Sequence, residues 1–161
     1  MEGVVLMFPL VRSSTSVIKI FVDTNILVYA HDIDAGKKHE TARRIVRKLW
    51  EGQNAAISLQ ILQEFFITLT KKLKKPVSLK QAKDFLEMYS AWDVIHFQSI
   101  DLLEAVDLQI KYQLSFWDSL VIRAAHMADT PFILTEDLQH GQKIGQLRIH
   151  NPFLEEGDFP M

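Results

Sequence analysis

The sequence predicts an α/β protein in which a central parallel sheet is covered by helices on both faces. Three observations lead to this prediction. Short apolar segments rich in β-branched residues alternate with segments whose apolar residues recur at helical spacing. The connections between these segments are short. The first strand segment contains the continuous apolar run Ile20-Phe21-Val22, which is typical of a strand buried between two helical layers.

Composition limits the class of protein. The chain has 161 residues, a formal net charge of −2 and no Cys, which fits one domain without disulfides or a thiolate metal site and is compatible with the cytoplasm. No apolar run approaches the roughly 20 residues that span a bilayer, so we expect no membrane segment. Because the net charge does not attract nucleic acid, RNA binding would need local patches or metal ions.

The chain divides into an expected N-terminal extension (1–16), one folded domain (17–150) and an irregular C-terminal tail (151–161). The first residues, MEGVVLMFPLVRSSTS, carry Glu2 in place of a basic segment and have no small-residue cleavage site. They therefore do not have the pattern of a signal peptide.

The predicted elements follow from local patterns. VIKIFV is β-branched and aromatic, as strands are, and Pro76 ends a long helix because Pro disfavours helical geometry in the preceding residue. Ser78 and Ser115 are predicted helix caps. In chain order, we expect a strand at 17–22, helices at 26–31 and 39–50, a strand at 55–58, helices at 59–73 and 79–92, a strand at 94–97, helices at 100–112 and 116–128, and strands at 132–135 and 147–150.

Two acidic residues are predicted at one edge of this sheet. Asp23 follows the first strand, and Asp137 follows the later strand in FILTED, with Glu136 beside it. Because the carboxyl ends of parallel strands converge on one edge, these side chains are candidates for a common site. Each also has a structural interpretation, since Asp is a good helix N-cap.

Asp118 and Glu64 are the other acidic candidates. Ser115 and Asp118 match a capping box, in which the acid bonds back to the cap residue, but a helix's first turn can also present a carboxylate to a cation. Glu64 lies among large apolar residues of a helix, so it is either a site residue or a surface Glu at the edge of an amphipathic face. Carboxylates clustered in a half-dry cleft would repel one another unless a hard divalent cation such as Mg²⁺ or Mn²⁺ bound them.

Four segments together resemble a known family. VDTNILVYA, SLQILQEFF, SFWDSLVIRAA and LTEDLQHG are similar, in order, to the four motifs of PIN domains, with the closest similarity to the toxin-type ribonucleases called VapC. The resemblance runs from about Val17 to His150. It implies a three-layer α/β/α fold with a central parallel sheet.

The resemblance also implies a function and a site. It implies Mg²⁺- or Mn²⁺-dependent endonucleolytic cleavage of RNA, a homodimer, and a small antitoxin that holds the toxin inactive. The matching positions give the metal-binding and catalytic acids as Asp23, Glu64, Asp118 and Asp137, with Asn25 and Thr135 as polar supports. Glu136 stands where many relatives have a basic residue, which leaves Glu136 and Asp137 as alternatives for the fourth ligand.

Other functions fit parts of the pattern. Phosphoryl transfer through an aspartyl phosphate also uses an Asp after the first strand, but the D-x-D form would need an acid where Asn25 stands. A stand-alone RNA-processing nuclease and a non-catalytic scaffold that binds RNA or protein are further alternatives.

Basic and aromatic side chains have two interpretations each. The cations at 43–48 and 71–75 could contact an RNA backbone, or could be solvated charges and complements of a helix dipole. Phe116 and Trp117 are predicted as core or dimer contacts rather than surfaces for stacking bases.

Overall fold

The computed structural model describes residues 17–154, and its centre is a six-stranded sheet. The expected extension at 1–16 and most of the expected tail lie outside the described residues. The strands are β1 (Ile20–Val22), β2 (Ala55–Ser58), β3 (Asp93–Ile95), β4 (Phe132–Leu134), β5 (Lys143–Ile144) and β6 (Leu147–His150). Their order in the sheet is β3-β2-β1-β4-β6-β5, and every pair is parallel except β5 with β6.

Helices cover both faces of the sheet, so the predicted three-layer α/β/α architecture is confirmed. They are α1 (Thr24–His31), α2 (Lys37–Gly52), α3 (Leu59–Ile67), α4 (Leu79–Tyr89), α5 (Ser99–Tyr112) and α6 (Phe116–Met127). Helix α1 packs on α2 and α3, whereas α5 packs on α6. No helix within residues 17–154 is long and apolar enough to cross a bilayer.

The core lies on the central strands. All three residues of β1 are fully buried, and so are Ile133 and Leu134 of β4. This is the expected result for a parallel sheet between two helical layers, where neither strand face meets water. An aromatic cluster of Phe65, Tyr89 and Trp92 fills the space where α3 and α4 meet the sheet.

Several element boundaries differ from the predicted ones. The first strand begins at Ile20 rather than Val17, because its pairing with both β2 and β4 begins at Ile20. The short strand β5 was not predicted. It forms a tight hairpin with β6 through Gly145, whose φ of 62° is one that Gly adopts without strain.

The long helix predicted at 59–73 changes its winding in the middle. After α3 comes a π-helical turn over Thr68–Lys72. There the Leu73 amide donates to the Thr68 carbonyl, and the Thr70 hydroxyl donates to the Phe66 carbonyl at 2.8 Å. Such hydroxyl bonds bend helices, and π-helical turns occur often at functional sites.

Candidate active site

The strand order reverses at β1, and the acidic residues gather beside this reversal. The chain runs from β1 outward to β2 and β3, and β4 then lies on the other side of β1. In open α/β sheets, ligands bind at the carboxyl ends of the strands on either side of such a switch point. Asp23 follows β1 and Thr135 follows β4, and the pairing of Val22 with Leu134 makes Asp23 and Thr135 neighbours.

Asp23 is held firmly in this position. It is the N-cap of α1, and its Oδ1 accepts a hydrogen bond from the Thr24 amide at 2.7 Å. Its Oδ2 accepts one from the Thr135 hydroxyl, also at 2.7 Å. The side chain is buried, with 6% of its surface exposed. Asp23 is therefore both a helix cap and an acidic group at the switch point.

Glu64 reaches the same edge from α3. Ser58, at the end of β2, caps α3 by accepting a bond from the Ile61 amide, so the helix starts next to β1. Glu64 Oε2 accepts a bond from the Thr24 hydroxyl at 2.9 Å, and its Oε1 accepts one from the Gln60 side-chain amide at 2.8 Å. Thr24 thus links Glu64 to the helix turn that Asp23 caps.

Asn25 links the third carboxylate to this group. Its Nδ2 lies 3.0 Å from Asp137 Oδ2, 3.3 Å from Thr135 Oγ1 and 3.4 Å from Asp23 Oδ2. The Asp137 amide donates to the Thr135 hydroxyl at 3.1 Å. The two residues predicted as polar supports, Asn25 and Thr135, therefore lie between the carboxylates of Asp23 and Asp137.

The Glu136 side chain contacts Lys38 and Tyr29 rather than the other acids. Its Oε2 accepts a bond from Lys38 Nζ at 2.6 Å, and its Oε1 accepts one from the Tyr29 hydroxyl. Both carboxylate oxygens are thus engaged by these two side chains, while Asp137 bonds to Asn25. Of the two alternatives for the fourth acid, the geometry favours Asp137, because it shares Asn25 with Asp23 whereas Glu136 bonds Lys38 and Tyr29.

The Asp118 carboxylate shares no hydrogen-bond partner with the other three acids among residues 17–154. It lies in the first turn of α6, where its amide donates to the Ser115 hydroxyl at 3.0 Å. This is one half of the predicted capping box. Within residues 17–154, no hydrogen bond or ion pair to the Asp118 carboxylate is found, so that carboxylate is neither engaged in the return bond nor joined to Asp23, Glu64 or Asp137.

Burial and neighbouring charges raise the pKa of Asp23 from 3.8 to about 7. Burial is the largest cause, because a carboxylate removed from water is destabilised. Hydrogen bonds from Thr135 and Thr24 oppose this rise, and the charges of Asp137 and Glu64 add to it. Asp23, once ionised, is therefore repelled by both Asp137 and Glu64.

A cleft of about 610 Å³ opens beside these acids. Its walls contain polar and charged side chains together with exposed apolar ones. The lining residues are Thr24, Asn25, Val28, Tyr29, Gln60, Gln63, Glu64, Ile67, Thr68, Lys72, Trp117 and Asp137.

The donor chemistry fits a hard divalent cation, although the side chains are not arranged as a closed metal site. Among residues 17–154, no three His, Asp or Glu side chains form a group that could hold a metal ion as they stand. Asp23 and Glu64 each use both oxygens in hydrogen bonds within the protein. A carboxylate has about four lone-pair sites, so these bonds leave capacity for a cation. Oxygen-only donors are those that Mg²⁺ and Mn²⁺ prefer.

Comparison with known proteins identifies the family. A family model described as the PIN domain matches residues 20–143, which is most of the chain. The chain belongs to the PIN domain family. No curated protein matches this PIN domain significantly.

Solved structures with the same fold include toxin–antitoxin proteins. A toxin–antitoxin complex from Klebsiella pneumoniae is 21% identical with a TM-score of 0.61, and the match covers 83% of this PIN domain chain and 98% of the other chain. VapBC2 from Rickettsia felis, bound to a DNA fragment from its promoter, is 21% identical with a TM-score of 0.59 and the same coverage. VapC20 from Mycobacterium tuberculosis, a toxin that cleaves the sarcin-ricin loop, is 18% identical with a TM-score of 0.54 over 71% of this chain and 87% of that one. At these identities the likeness establishes a shared fold.

Three residues of the site were not predicted as site residues from the sequence. Thr24 and Gln60 both bond Glu64, and Gln60 precedes Glu64 by one helical turn, a spacing that could have identified it. Trp117, predicted as a core or dimer contact, is 62% exposed and lines the cleft, so the core alternative is wrong. Its position directly before Asp118 was the available signal.

Proposed function

We propose that this PIN domain is a metal-dependent endoribonuclease that acts in the cytoplasm as the toxin of a toxin–antitoxin pair. The observation that carries the proposal is the position of Asp23. It is a buried carboxylate at the switch point of the sheet, and its pKa is raised in part by two acids from distant parts of the chain. Such a group is costly to keep charged unless a cation balances it.

The residues that would hold Mg²⁺ or Mn²⁺ are Asp23, Glu64, Asp118 and Asp137. When bound, the cation supplies an activated water and offsets the charge of the scissile phosphate. The protein's own contribution is orientation. Thr24 bonds Glu64, whereas Thr135 and Asn25 bond Asp23, so these acids are held close together by uncharged donors.

The test of this function is cleavage by purified protein. We expect wild type to cleave single-stranded RNA with Mn²⁺ and to lose this activity with excess EDTA. Asp118→Asn should abolish cleavage and leave the circular dichroism spectrum unchanged, because the Asp118 carboxylate makes no bond within the described part of the chain that its folding would need. Asp84→Asn, an exposed substitution on α4, is the matched control and should keep wild-type activity.

The outcomes separate the candidate functions. Equal activity of Asp118→Asn and wild type would contradict the proposed site. Wild-type protein that binds RNA but never cleaves it would favour the non-catalytic scaffold. Covalent phosphorylation of Asp23 by a small phosphodonor would favour phosphoryl transfer.

The partners are a second part of the proposal. The related folds from Klebsiella and Rickettsia come from toxin–antitoxin assemblies, which supports a small antitoxin partner. Expression of wild type should arrest growth, expression of Asp118→Asn should not, and a protein encoded immediately upstream should restore growth by forming a complex. Growth without arrest would favour a stand-alone processing nuclease. We further propose a homodimer, to be tested by light scattering after gel filtration.

A further inference from the structure

One face of α3 and its π-helical extension forms a continuous wall of the cleft. Gln60, Glu64, Thr68 and Lys72 follow one another at intervals of four residues, and all four line the cleft. The wall therefore runs from the acidic edge at Glu64 to a cation at Lys72. By helical rise, these two residues are separated by about 12 Å along the axis.

Lys72 is available to a ligand. It is exposed, and within residues 17–154 no hydrogen bond or ion pair engages its ammonium group. It is the cation that lines this cleft among the described residues, whose other charged lining groups are Glu64 and Asp137. A phosphate repelled by the acids would be attracted at this end.

Trp117 supplies the aromatic part of the cleft. Its indole contacts the Phe116 ring in a T-shaped arrangement with centroids 5.4 Å apart, and 62% of its surface remains exposed. Exposed Ile67 and buried Val28 add apolar surface to the same cleft. An exposed indole inside a cleft offers a broad apolar face that a ligand can cover.

The combination of an aromatic ring and a cation beside acidic groups matches one nucleotide of a single strand. A volume of about 610 Å³ is within the range of about 300–1,000 Å³ that holds small ligands. Bases stack on aromatic side chains only when they are unpaired and splayed out, because a duplex keeps its base faces covered. An apolar peptide side chain could also cover the indole, but it would leave Lys72 without a counter-charge.

We propose that this cleft is a subsite for one unpaired nucleotide of the substrate, with its base on Trp117 and a backbone phosphate at Lys72. The inference rests on the proposed function as a ribonuclease and assigns two further positions, Trp117 and Lys72, that hold the RNA beside the acids. Trp117 and Lys72 then select the conformation of the RNA, while the acids act at the neighbouring phosphodiester bond.

The experiment measures binding separately from cleavage. A fluorescein-labelled single-stranded hexaribonucleotide is titrated with protein by fluorescence anisotropy, with Ca²⁺ in place of Mg²⁺ and a gel to verify intact RNA. We expect Trp117→Ala to weaken binding by about tenfold or more, and Trp117→Phe to stay within about threefold of wild type. Binding of the same sequence as a duplex should be weaker and insensitive to Trp117→Ala.

The role of Lys72 is tested with a second pair of variants. Lys72→Gln should weaken binding and reduce the salt dependence of log K by about 0.7, as expected for the loss of one phosphate contact in a single strand. Lys74→Gln is the matched control, because Lys74 is exposed nearby but does not line the cleft, and it should leave the salt dependence unchanged. A 2-aminopurine base in the oligonucleotide should be quenched by wild type and by Trp117→Phe, but not by Trp117→Ala.

The results that overturn the subsite differ from those that overturn the nuclease. Equal RNA affinities for wild type, Trp117→Ala and Trp117→Leu would remove the subsite, whether or not the protein cleaves RNA. Unchanged RNA affinity together with lost binding of a partner protein would assign the cleft to that protein and likewise overturn the proposal. Normal binding with no cleavage by wild type would instead contradict the proposed function. The Mn²⁺-induced rise in melting temperature should be the same for Trp117→Ala as for wild type, because the indole is not a ligand.

Discussion

Asp23→Asn is expected to stabilise the metal-free protein and to abolish most of its response to Mg²⁺. In the folded state the Asp23 pKa is raised from 3.8 to about 7, so the fold binds this proton more tightly than the unfolded chain does. The stability that protonated Asp23 contributes is fully present below about pH 4 and is lost as the pH rises to about 7. Above pH 7 the ionised carboxylate is a net cost to the folded state.

The size of this cost follows from the pKa. A rise from 3.8 to about 7 corresponds to at most about 4 kcal/mol at pH 8. Asn has the same shape as Asp, and its side-chain oxygen can still accept a bond from the Thr24 amide. Its NH₂ group, however, faces the Thr135 hydroxyl and the Asn25 amide. The loss of these two bonds costs the folded state about 1 kcal/mol. The net gain at pH 8 is therefore about 2–3 kcal/mol, or about 5–10 °C in melting temperature for a domain of this size. At pH 5 the gain falls to about 1 kcal/mol or less.

The assay is thermal unfolding of wild type and Asp23→Asn at pH 5 and pH 8, each with EDTA and with Mg²⁺. Wild type should be stabilised by Mg²⁺ at pH 8, and the variant much less, because the cation has lost a carboxylate. Asp84→Asn, on the exposed face of α4, controls for a general effect of removing one negative charge. Two results would refute the reasoning: a variant no more stable than wild type at pH 8 in EDTA, or an undiminished shift with Mg²⁺.

Four further substitutions test the site and the core. Asp137→Asn should lower the cleavage rate by at least about tenfold, whereas Glu136→Gln should change it by less than about threefold, and the reverse order would show that Glu136 is the fourth acid. Thr135→Val removes a buried donor to Asp23 and should lower the free energy of unfolding by about 1–3 kcal/mol in urea titrations; an unchanged value would mean that this bond contributes nothing. Phe65→Ala empties a fully buried position and should cost about 3–5 kcal/mol, and a loss under 1 kcal/mol would contradict the described packing.

Most of the elements were predictable because their signals are local. The strands around Phe21 and Ile133 are continuous apolar runs, and Ser78 and Ser115 cap the helices that follow them, as predicted. Apolar runs and helix caps each depend on a few neighbouring residues, through the burial of apolar side chains and local hydrogen bonds. They need no knowledge of the rest of the fold.

Features set by distant contacts were not predictable in the same way. The two-residue strand β5 exists only because β6 lies beside it, and its sequence carries no strand pattern of its own. The Trp117 side chain is large and mostly apolar, as core side chains are. It is exposed in the cleft because of how α6 packs.

The sequence by itself determined which residues can form strands, helices and caps, and it predicted acidic groups after β1 and β4. Both follow from the residues themselves, because apolar periodicity and carboxylate chemistry do not depend on the rest of the fold. The tertiary structure decided which of these acids meet. The strand order places Asp23 beside Thr135, and the position of α3 places Glu64 within hydrogen-bonding distance of Thr24. Glu136 instead bonds Lys38. The physical reason is that hydrogen bonding and repulsion between carboxylates act over a few ångströms, and only folding brings residues more than a hundred positions apart within that distance.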